Sequence, residues 1–562
     1  MTKTTIIIGG SAGGATAAAR LRRLNEDMRI IMLEKGEYIS YANCGLPYYI
    51  GGIIKNKDDL TIMTPAGFSA WYNIDVRTRH EATAIDADKK ELTIVDLNNN
   101  KQYKEIYDYL ILATGAEPVL PEEIRSLSGV FVLRDIHDTL KIKSFIENKK
   151  PKTAVIVGGG AIGLEMAENL VSASIDVTIL ELNDYVGSPL DFDMASILHK
   201  TLRKNGVKII TNNSLKNIIP GSDNLILQLS DDTSVAADMA IISIGVRPNS
   251  ALARQAGLKV NERGAVIVDS KMQTSNPYIY AVGDLVETVD YITKDKNYIP
   301  LAGPAQKQAR VAADNISGRQ TKYNGAILRG IIKAFDKTIA FCGLNEKTLK
   351  AKNIDYEKIY ITAYSHPSYY PDAGAIDIKL IFDKTNGRIL GAQLIGEKGV
   401  DKRADVIAAV MRLDGTIDDL AELELPYSPP YSTAKDPVNI AGLVAQNVKN
   451  KISEIIHFED LDKINIKESI LLDVRTKQEF EKGHLDGFIN IPLHELRNRL
   501  NELDKAKTIY VMCLAGQRAY IAERILKNSG FKAFSFSGGY RIYKHMNDEK
   551  LLKNFKENNK NG

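Results

Sequence analysis

The chain has 562 residues, of which 44% are hydrophobic and 25% charged, and its formal net charge is +3. This length suggests roughly three to five domains, and the balanced charge argues against nucleic acid or a membrane surface as the main partner. The three cysteines, Cys44, Cys342 and Cys513, are too few and too widely spaced for a disulfide framework, so we expect free thiols in a reducing compartment. No stretch approaches the ~18 apolar residues of a membrane span, and we expect a cytoplasmic protein.

Two segments, beginning at Thr4 and Thr153, share one pattern: an apolar run, a glycine cluster and an alanine-rich helix. Each is followed by a second predicted strand that ends in a glutamate, Glu34 or Glu181. The order strand, turn, helix, strand is typical of a dinucleotide-binding unit. The sequence therefore predicts two such sites.

The two glycine clusters fit the phosphate-binding fingerprint, as GGSAGG from Gly9 and GGGAIG from Gly158. The first glycine makes a tight turn, the middle small residue lets the backbone approach a pyrophosphate, and the last allows close helix–strand packing. The helix N-terminus then faces the phosphate charge. Glu34 and Glu181 can accept hydrogen bonds from ribose hydroxyls. Glu181 would repel a 2′-phosphate, which favours NADH over NADPH.

The pattern changes from about Ile327 to strands with alternating residues, followed by a predicted helix over 401–413. A polar stretch over 444–454 predicts a linker helix or hinge. The remaining residues form a separate small α/β unit.

The glycine motifs, ATGA at Ala113, AVGDL at Ala281 and the cysteine after the first unit resemble the pyridine nucleotide-disulfide oxidoreductase family over residues 1 to about 445. The resemblance implies one Rossmann-like domain for FAD, another for NAD, an α+β dimerisation domain and a homodimer. It also implies that Asp284 contacts the flavin ribityl chain. The predicted cofactor-binding residues are Gly9, Ser11, Gly13, Gly14, Glu34, Lys35, Thr114, Gly115 and Asp284 for FAD, and Gly158, Gly160, Gly163 and Glu181 for NADH.

The segment SYANCGLPYYIGG has Ser40 four residues before Cys44, where glutathione reductase-like enzymes keep a second cysteine. It resembles the single-cysteine branch of the family, which contains coenzyme A-disulfide and persulfide reductases as well as NADH oxidases and peroxidases. The reductases hold a mixed disulfide or persulfide on the cysteine, whereas the oxidases cycle it through a sulfenic acid. The oxidase relatives carry a histidine where this chain has Ala12, so the reductases are favoured and the proton donor must lie elsewhere.

Two tyrosine-rich segments resemble motifs of the coenzyme A-disulfide reductases, in which tyrosines of the partner subunit reach the active site. The best matches are Tyr369 and Tyr427, and the sequence leaves open whether Tyr369 or Tyr370 faces the site. A phenol can protonate a leaving thiolate. The alternative is that these tyrosines only pack a dimer interface, with His366 as a loop histidine.

Coenzyme A also needs cations for its phosphates, and Arg20, Arg23 and Arg310 are the candidates; each could instead be a solvated surface residue. Ser40 is a hydrogen-bond candidate for the Cys44 thiolate or the substrate. Cys342 lies in a strand-like run and is expected to be a buried, inert thiol.

Residues from about 454 resemble a single-domain rhodanese, chiefly through the loop CLAGQR from Cys513 to Arg518. A cysteine between a strand and a helix N-terminus lies in a cradle of N–H groups, which stabilises a thiolate or persulfide. Arg518 is expected to close the loop and add positive charge, and Asp473 and Arg475 to organise it. A decayed, inactive domain is the alternative.

These features predict an α/β protein with an FAD-binding domain (1–150 and 276–325), an NAD-binding domain (151–275), a dimerisation domain (326–445), a linker (446–455) and a rhodanese domain (456–562). The predicted function is NADH-driven, FAD-dependent reduction of coenzyme A persulfide, polysulfide or coenzyme A disulfide. Cys44, Cys513, Tyr369, Tyr427, Ser40 and Arg518 are the predicted catalytic residues, and no metal site is expected. The alternatives are an NADH oxidase or peroxidase and a sulfur-carrying or redox-sensing flavoprotein.

Overall fold

The computed structural model describes residues 2–560 and divides the chain into two compact units. The first unit comprises Met1–Asp184 and Val207–Leu328, and the second comprises Tyr185–Gly206 and Arg329–Gly562. Residues 185–206, which the sequence assigns to the NAD-binding domain, group with the second unit. They do so because helix Phe192–Lys204 packs there against strands Arg329–Ala334 and Ile389–Gly396.

The first unit is built on two five-stranded parallel sheets, one behind each glycine motif. The first sheet has the strand order Ile279–Ala281, Tyr109–Leu112, Thr4–Ile8, Arg29–Glu34 and Asp75–Thr78. The second has the order Lys208–Ile210, Asp176–Leu180, Thr153–Val157, Met239–Ile242 and Val130–Phe131. Both faces of the first sheet are covered, since Ile7 packs into one core cluster while Ile6 and Ile8 pack into another. This double burial explains why its strands are continuous apolar runs in the sequence.

Helices and small antiparallel sheets complete the first unit. Its α-helices are Ala12–Leu24, Leu46–Ile50, Pro65–Tyr72, Glu122–Arg125, Ile136–Lys149, Ala161–Ser172, Ala251–Gln255 and Ala302–Ile316. Two three-stranded sheets contain His80–Asp86, Glu91–Asp96 and Lys101–Ile106, and Leu215–Pro220, Leu225–Leu229 and Ser234–Ala237. Two pairs of short strands are Ala116–Pro118 with Val246–Pro248, and Thr288–Val289 with Lys296–Asn297.

The second unit contains a five-stranded antiparallel sheet with the order Arg329–Ala334, Lys337–Gly343, Ile389–Gly396, Ala375–Asp383 and Tyr356–Tyr364. Its helices are Phe192–Lys204, Glu346–Ala351, Val400–Arg412, Ile417–Glu422 and Pro437–Lys449. The helix predicted over 401–413 is thus Val400–Arg412. The helix Pro437–Lys449 continues past residue 445, where the sequence predicts the end of the dimerisation domain.

The last part of the second unit is a five-stranded parallel sheet with the order Ile455–Ile456, Ala533–Phe536, Thr508–Met512, Ser469–Asp473 and Phe488–Asn490. Its helices are Lys477–Glu481, Leu493–Leu496, Gln517–Asn528 and Gly539–Lys560. The last two residues of the predicted hinge are fixed to helix Gln517–Asn528, because Ser453 and the backbone of Glu454 donate hydrogen bonds to Glu523.

A fully buried lysine joins the antiparallel sheet to the start of helix Phe192–Lys204. Its ammonium group, Lys379 Nζ, lies 2.9 Å from Asp191 Oδ2, 2.6 Å from Asp193 Oδ2 and 2.5 Å from Glu346 Oε1. Burial opposes the charge, but the carboxylates hold the pKa of Lys379 well above its ordinary value. The ammonium group therefore balances acids that would otherwise be buried without a partner.

Among the helices of residues 2–560, none is long and apolar enough to cross a membrane.

Candidate active sites

The first glycine motif forms the turn between strand Thr4–Ile8 and helix Ala12–Leu24. Gly9 has φ +105°, and a Cβ on it would lie 2.3 Å from the Ala113 carbonyl oxygen. A Cβ on Gly14 would lie 1.7 Å from the Gly9 carbonyl oxygen, so the helix approaches the turn more closely than a side chain permits. Glu34 Oε2 accepts the Gly10 N–H at 2.9 Å, which fixes the carboxylate beside the turn. This cradle fits the pyrophosphate and ribose of FAD.

The AVGDL segment packs closely against helix Ala12–Leu24. A Cβ on Gly13 of this helix would lie only 3.1 Å from Val282 Cγ2. Asp284 follows in the 3₁₀ turn Gly283–Leu285, and its Oδ2 lies 3.3 Å from Arg134 Nη2. The structure therefore brings the Asp284 segment to the first glycine motif, and the contact of Asp284 with the flavin ribityl chain stays a prediction.

Four other predicted FAD-binding residues lie around this turn. Ser11 is the N-cap residue of helix Ala12–Leu24. Thr114 Oγ1 donates to the Asn249 carbonyl at 2.8 Å, and Gly115 has φ +66°. Lys35 is exposed and bonds Glu81 at 2.7 Å. Their contacts with the cofactor stay predictions.

The second glycine motif repeats this geometry between strand Thr153–Val157 and helix Ala161–Ser172. Gly158 has φ +104°, and a Cβ on Gly163 would lie 2.1 Å from the Gly158 carbonyl oxygen. A Cβ on Gly160 would meet no atom within 4 Å, so the space in front of the helix N-terminus is open to a ligand phosphate. Glu181 Oε2 accepts the Gly159 N–H at 2.8 Å. The residues fit a second dinucleotide.

Cys44 lies in the 3₁₀ turn Asn43–Gly45 and is exposed. The next helix, Leu46–Ile50, packs against Ala161–Ser172, the helix of the second glycine motif. Their approach is close, because a Cβ on Gly51 would lie 2.1 Å from Asn169 Oδ1. The cysteine segment is thus held between the two dinucleotide-binding motifs.

An acid that the sequence does not single out acts on this thiol. Tyr48 follows Cys44 by four residues in the sequence. Its hydroxyl group donates a hydrogen bond to Glu165 Oε1 at 3.4 Å. Burial raises the pKa of Glu165 to about 7, and burial followed by the Glu165 charge raises the pKa of Tyr48 to about 12. Desolvation, and then Glu165, also raises the pKa of the Cys44 thiol. Glu165 therefore titrates near neutral pH and, when ionised, disfavours the Cys44 thiolate.

Ser40 connects the segment that carries Cys44 to the first glycine motif through its backbone. Its N–H donates to the Gly10 carbonyl at 2.9 Å, its carbonyl accepts the Ile62 N–H at 2.9 Å, and its φ is +45°. The backbone of Ser40 thus fixes the path of the loop. The predicted hydrogen bond from its hydroxyl to Cys44 stays a prediction.

The tyrosine segments lie in the second unit, and their predicted catalytic residues are exposed there: 79% for Tyr369 and 62% for Tyr427. Tyr370 is also exposed, at 40%, and its ring packs edge-on against His366 with centroids 5.7 Å apart. His366 is buried and bonds the Pro371 carbonyl, which agrees with its predicted role as a loop residue. The predicted roles of Tyr369 and Tyr427 stay predictions.

The predicted phosphate-binding arginines lie on two packed helices of the first unit. Arg20 Nε donates to Asp314 Oδ1 at 2.8 Å, across helices Ala12–Leu24 and Ala302–Ile316. Arg310 is exposed one turn before Asp314 on the second helix. Arg23 is exposed, and its guanidinium lies 5.9 Å from the Tyr72 ring centroid. The helix pairing places Arg310 near Arg20, and phosphate binding stays a prediction.

Cys513 lies at the carboxyl end of strand Thr508–Met512, the central strand of the C-terminal sheet, and it is buried. The Gly516 N–H donates to Cys513 Sγ at 3.1 Å, and Gly516 has φ +104°, a left-handed conformation that favours glycine. Two backbone amides of the last helix fix the loop by hydrogen bonds to its carbonyls. Tyr540 N donates to the Cys513 carbonyl, and Arg541 N donates to the Leu514 carbonyl. Of the predicted cradle of N–H groups, the described residues thus show one hydrogen bond to the thiol, from Gly516.

Arg518 has a partner that the sequence does not reveal. Its Nη1 and Nη2 bond the two carboxylate oxygens of Glu479 at 2.7 and 2.8 Å. Asp473 and Arg475 form a buried pair, and Arg475 also bonds the Glu479 and Gly483 carbonyls. This pair thereby shapes the segment that carries Glu479, which agrees with its predicted organising role.

Cys342 is buried on strand Lys337–Gly343, and burial raises the pKa of its thiol to about 12. This environment agrees with the inert thiol that the sequence predicts.

Three family models match the chain. The model described as pyridine nucleotide-disulphide oxidoreductase matches residues 3–309, the dimerisation domain of the same family matches residues 331–437, and the rhodanese-like domain matches residues 458–545.

Two curated relatives each match about four fifths of the chain. An NADH oxidase of Methanocaldococcus jannaschii is 38% identical over 80% of this chain and 99% of its own length. A coenzyme A disulfide reductase of Staphylococcus epidermidis is 33% identical over 78% of this chain and 99% of its own length.

Two solved structures match almost the whole chain. The reduced Bacillus anthracis protein CoADR-RHD has a TM-score of 0.95 and 43% identity, covering 98% of this chain and 99% of its own. An NAD-dependent persulfide reductase from A. fulgidus has a TM-score of 0.90 and 38% identity, covering 96% of this chain and 100% of its own.

Proposed function

Because the chain belongs to the pyridine nucleotide-disulphide oxidoreductase family and carries a rhodanese-like domain, we propose that it is a flavoprotein that uses NADH to reduce sulfur at Cys44. Its substrates are coenzyme A persulfide, polysulfide or coenzyme A disulfide. One observation carries the proposal: a lone exposed thiol between two dinucleotide motifs shares a chain with a second thiol, Cys513, in a backbone cradle. Since both thiols must stay free, the cytoplasm is the proposed location.

Residues 1–150 and 276–325 hold FAD in this proposal, residues 151–275 hold NADH, and residues 456–562 handle sulfane sulfur. FAD held there would supply the transfer of two electrons from NADH to the sulfur on Cys44, and hydrosulfide or coenzyme A would be released. Glu181 selects NADH, because its carboxylate, fixed on the Gly159 amide, would repel a 2′-phosphate.

Cys44 is the nucleophile. Its thiolate attacks the outer sulfur of a persulfide or one sulfur of a disulfide, the S–S bond of the substrate breaks, and the electron pair leaves with the coenzyme A thiolate. That leaving group needs a proton. Glu165, with a pKa of about 7, can hold this proton near neutral pH. Tyr48, which is hydrogen-bonded to Glu165, connects it to the segment that carries Cys44.

Tyr369 and Tyr427 are a second proton source in this proposal, supplied by the other subunit of a homodimer. Their exposure in the single chain supports this role, because residues of an interface are exposed until the partner covers them. Arg20, Arg23 and Arg310 would bind the phosphates of coenzyme A. Ser40 would bond the Cys44 thiolate.

Cys513 carries sulfane sulfur as a persulfide and supplies it to the Cys44 site through a coenzyme A thiol. The cradle around its Sγ supports this role. Such a cradle stabilises the negative charge of a thiolate or persulfide.

The test compares NADH consumption by the FAD-loaded, full-length protein with four acceptors: coenzyme A persulfide, polysulfide, coenzyme A disulfide and hydrogen peroxide. We expect Cys44→Ser to abolish turnover with every sulfur acceptor. Cys513→Ser should slow sulfide release from sulfane donors only, and Cys342→Ser should change nothing. A peroxide or oxygen rate above all sulfur rates would instead support an NADH oxidase, the activity named for the Methanocaldococcus relative.

A further inference from the structure

Three arginines lie on the segments that hold the Cys513 loop, and each is matched by a carboxylate. Arg518 forms two hydrogen bonds with Glu479, at 2.7 and 2.8 Å. Arg475 bonds Asp473 through Nε and Nη2, and it is buried. The third, Arg541, bonds Asp377 through Nε and Nη2, both at 2.8 Å. The guanidinium groups on these segments are therefore electrically compensated.

Arg518 is the charged residue within the loop itself, so its partner matters most. Its hydrogen bonds are the leading cause that lowers the pKa of Glu479 to about 2, and Glu479 is therefore ionised at any physiological pH. The Arg518 guanidinium, whose charge interacts with Cys513, is thus already paired with a carboxylate. The charge available to bind an anion is thereby reduced.

We propose that Glu479 sets the donor specificity of Cys513: it neutralises Arg518, disfavours dianionic sulfane donors such as thiosulfate, and leaves alkyl persulfides as the preferred donors. This inference rests on the proposed sulfane-sulfur role of Cys513.

Both reactions transfer one sulfur atom without an external oxidant or reductant. From a persulfide, the Cys513 thiolate takes the outer sulfur, the donor S–S bond breaks, and the electron pair leaves with the alkyl thiolate. From thiosulfate, the same attack on the outer sulfur releases sulfite with the electron pair. Thiosulfate brings two negative charges to the loop, whereas an alkyl persulfide brings at most one, so Glu479 opposes thiosulfate more strongly.

Glu479 can be neutralised without losing its local structural role. It is the N3 residue of helix Lys477–Glu481, where its carboxylate accepts the Thr476 N–H and the Thr476 N-cap oxygen accepts the Glu479 N–H. Glutamine is the other residue that completes this capping box. Glu479→Gln therefore removes the charge and keeps the cap. Glu481→Gln, an exposed site on the same helix, is the matched control.

The experiment uses full-length, FAD-loaded protein that carries Cys44→Ser, without NADH. It measures the rate at which the Cys513 persulfide forms, by alkylating the protein and detecting the product by mass spectrometry. The donors are inorganic thiosulfate and 2-hydroxyethyl persulfide. We expect Glu479→Gln to raise the thiosulfate-to-persulfide ratio of rate constants about tenfold at low salt, and less at high salt because ions screen the effect. Glu481→Gln should leave the ratio as in the parent protein.

Glu479→Asp gives a second test, because it keeps the charge and shortens the side chain. It should retain the parent ratio. An unchanged ratio in Glu479→Gln, an equal fall in both rates, or an equal gain in Glu479→Asp would overturn the assignment. If neither thiosulfate nor the persulfide loaded Cys513 in the parent protein, the proposed sulfur-carrying function would be contradicted instead.

Discussion

Replacing Gly160 by alanine should separate cofactor binding from folding at the NADH site. Gly160 is the N-cap residue of helix Ala161–Ser172 with φ −78° and ψ −170°, a conformation that alanine adopts without strain. Its added Cβ would meet no protein atom within 4 Å. The new methyl group would instead occupy the space into which a ligand phosphate must come to reach the helix amides.

The size of the effect follows from these distances. Alanine is a poorer N-cap than glycine, which costs about 0.5–1 kcal/mol of stability. Displacing the pyrophosphate from one charge-assisted hydrogen bond costs about 2 kcal/mol of binding. That loss corresponds to about a 30-fold rise in the dissociation constant of NADH.

The assay is rapid-mixing flavin reduction over a range of NADH concentrations, with FAD content and the thermal midpoint measured on the same sample. Gly163→Ala is the contrasting variant, because its Cβ would lie 2.1 Å from the Gly158 carbonyl oxygen. We expect it to lose about 3 kcal/mol of stability through overpacking. Unchanged NADH affinity in Gly160→Ala, or a loss of stability equal to that of Gly163→Ala, would refute the reasoning.

Two further predictions concern buried charge. Glu165→Gln should speed alkylation of Cys44 by iodoacetamide above pH 7 and remove an inflection near pH 7, because the group that ionises with a pKa of about 7 opposes the thiolate. The measurement uses a Cys513→Ser background, and an unchanged pH profile would contradict it. Lys379→Met should lower the free energy of unfolding by about 3–5 kcal/mol, because buried carboxylates lose their partner. The half-exposed Lys384→Met should cost less than about 1 kcal/mol in the same urea titration, and equal losses would disprove the difference.

The dinucleotide-binding motifs could be predicted in detail because their signal is local. A strand, a glycine turn and a helix lie within a short stretch of chain. Gly9 and Gly158 have positive φ angles, which glycine adopts far more readily than other residues. The family match over residues 3–309 confirms the predicted fold class for this part. The Cys513 loop was predictable for the same reason, since its strand, glycine and helix are adjacent in sequence.

The partners of the reactive groups could not be predicted, because they come from distant parts of the chain. Glu165 reaches Tyr48 across 117 residues, and Arg20 reaches Asp314 across 294 residues. Glu479 joins Arg518 across 39 residues. A surface arginine and a paired arginine look identical in a sequence, so Arg20 and Arg518 could be named while their partners could not.

The sequence by itself therefore determined the chemistry that this protein can carry: two dinucleotide cradles, one thiol beside them and a second in its own loop. Such features depend on backbone geometry over a few neighbouring residues, and residue type imposes that geometry directly. Only the tertiary structure decided the charge around each thiol, with Glu165 acting on Cys44 and Glu479 neutralising Arg518. Electrostatic interactions depend on distance through space and on burial, and both are fixed only when the chain packs.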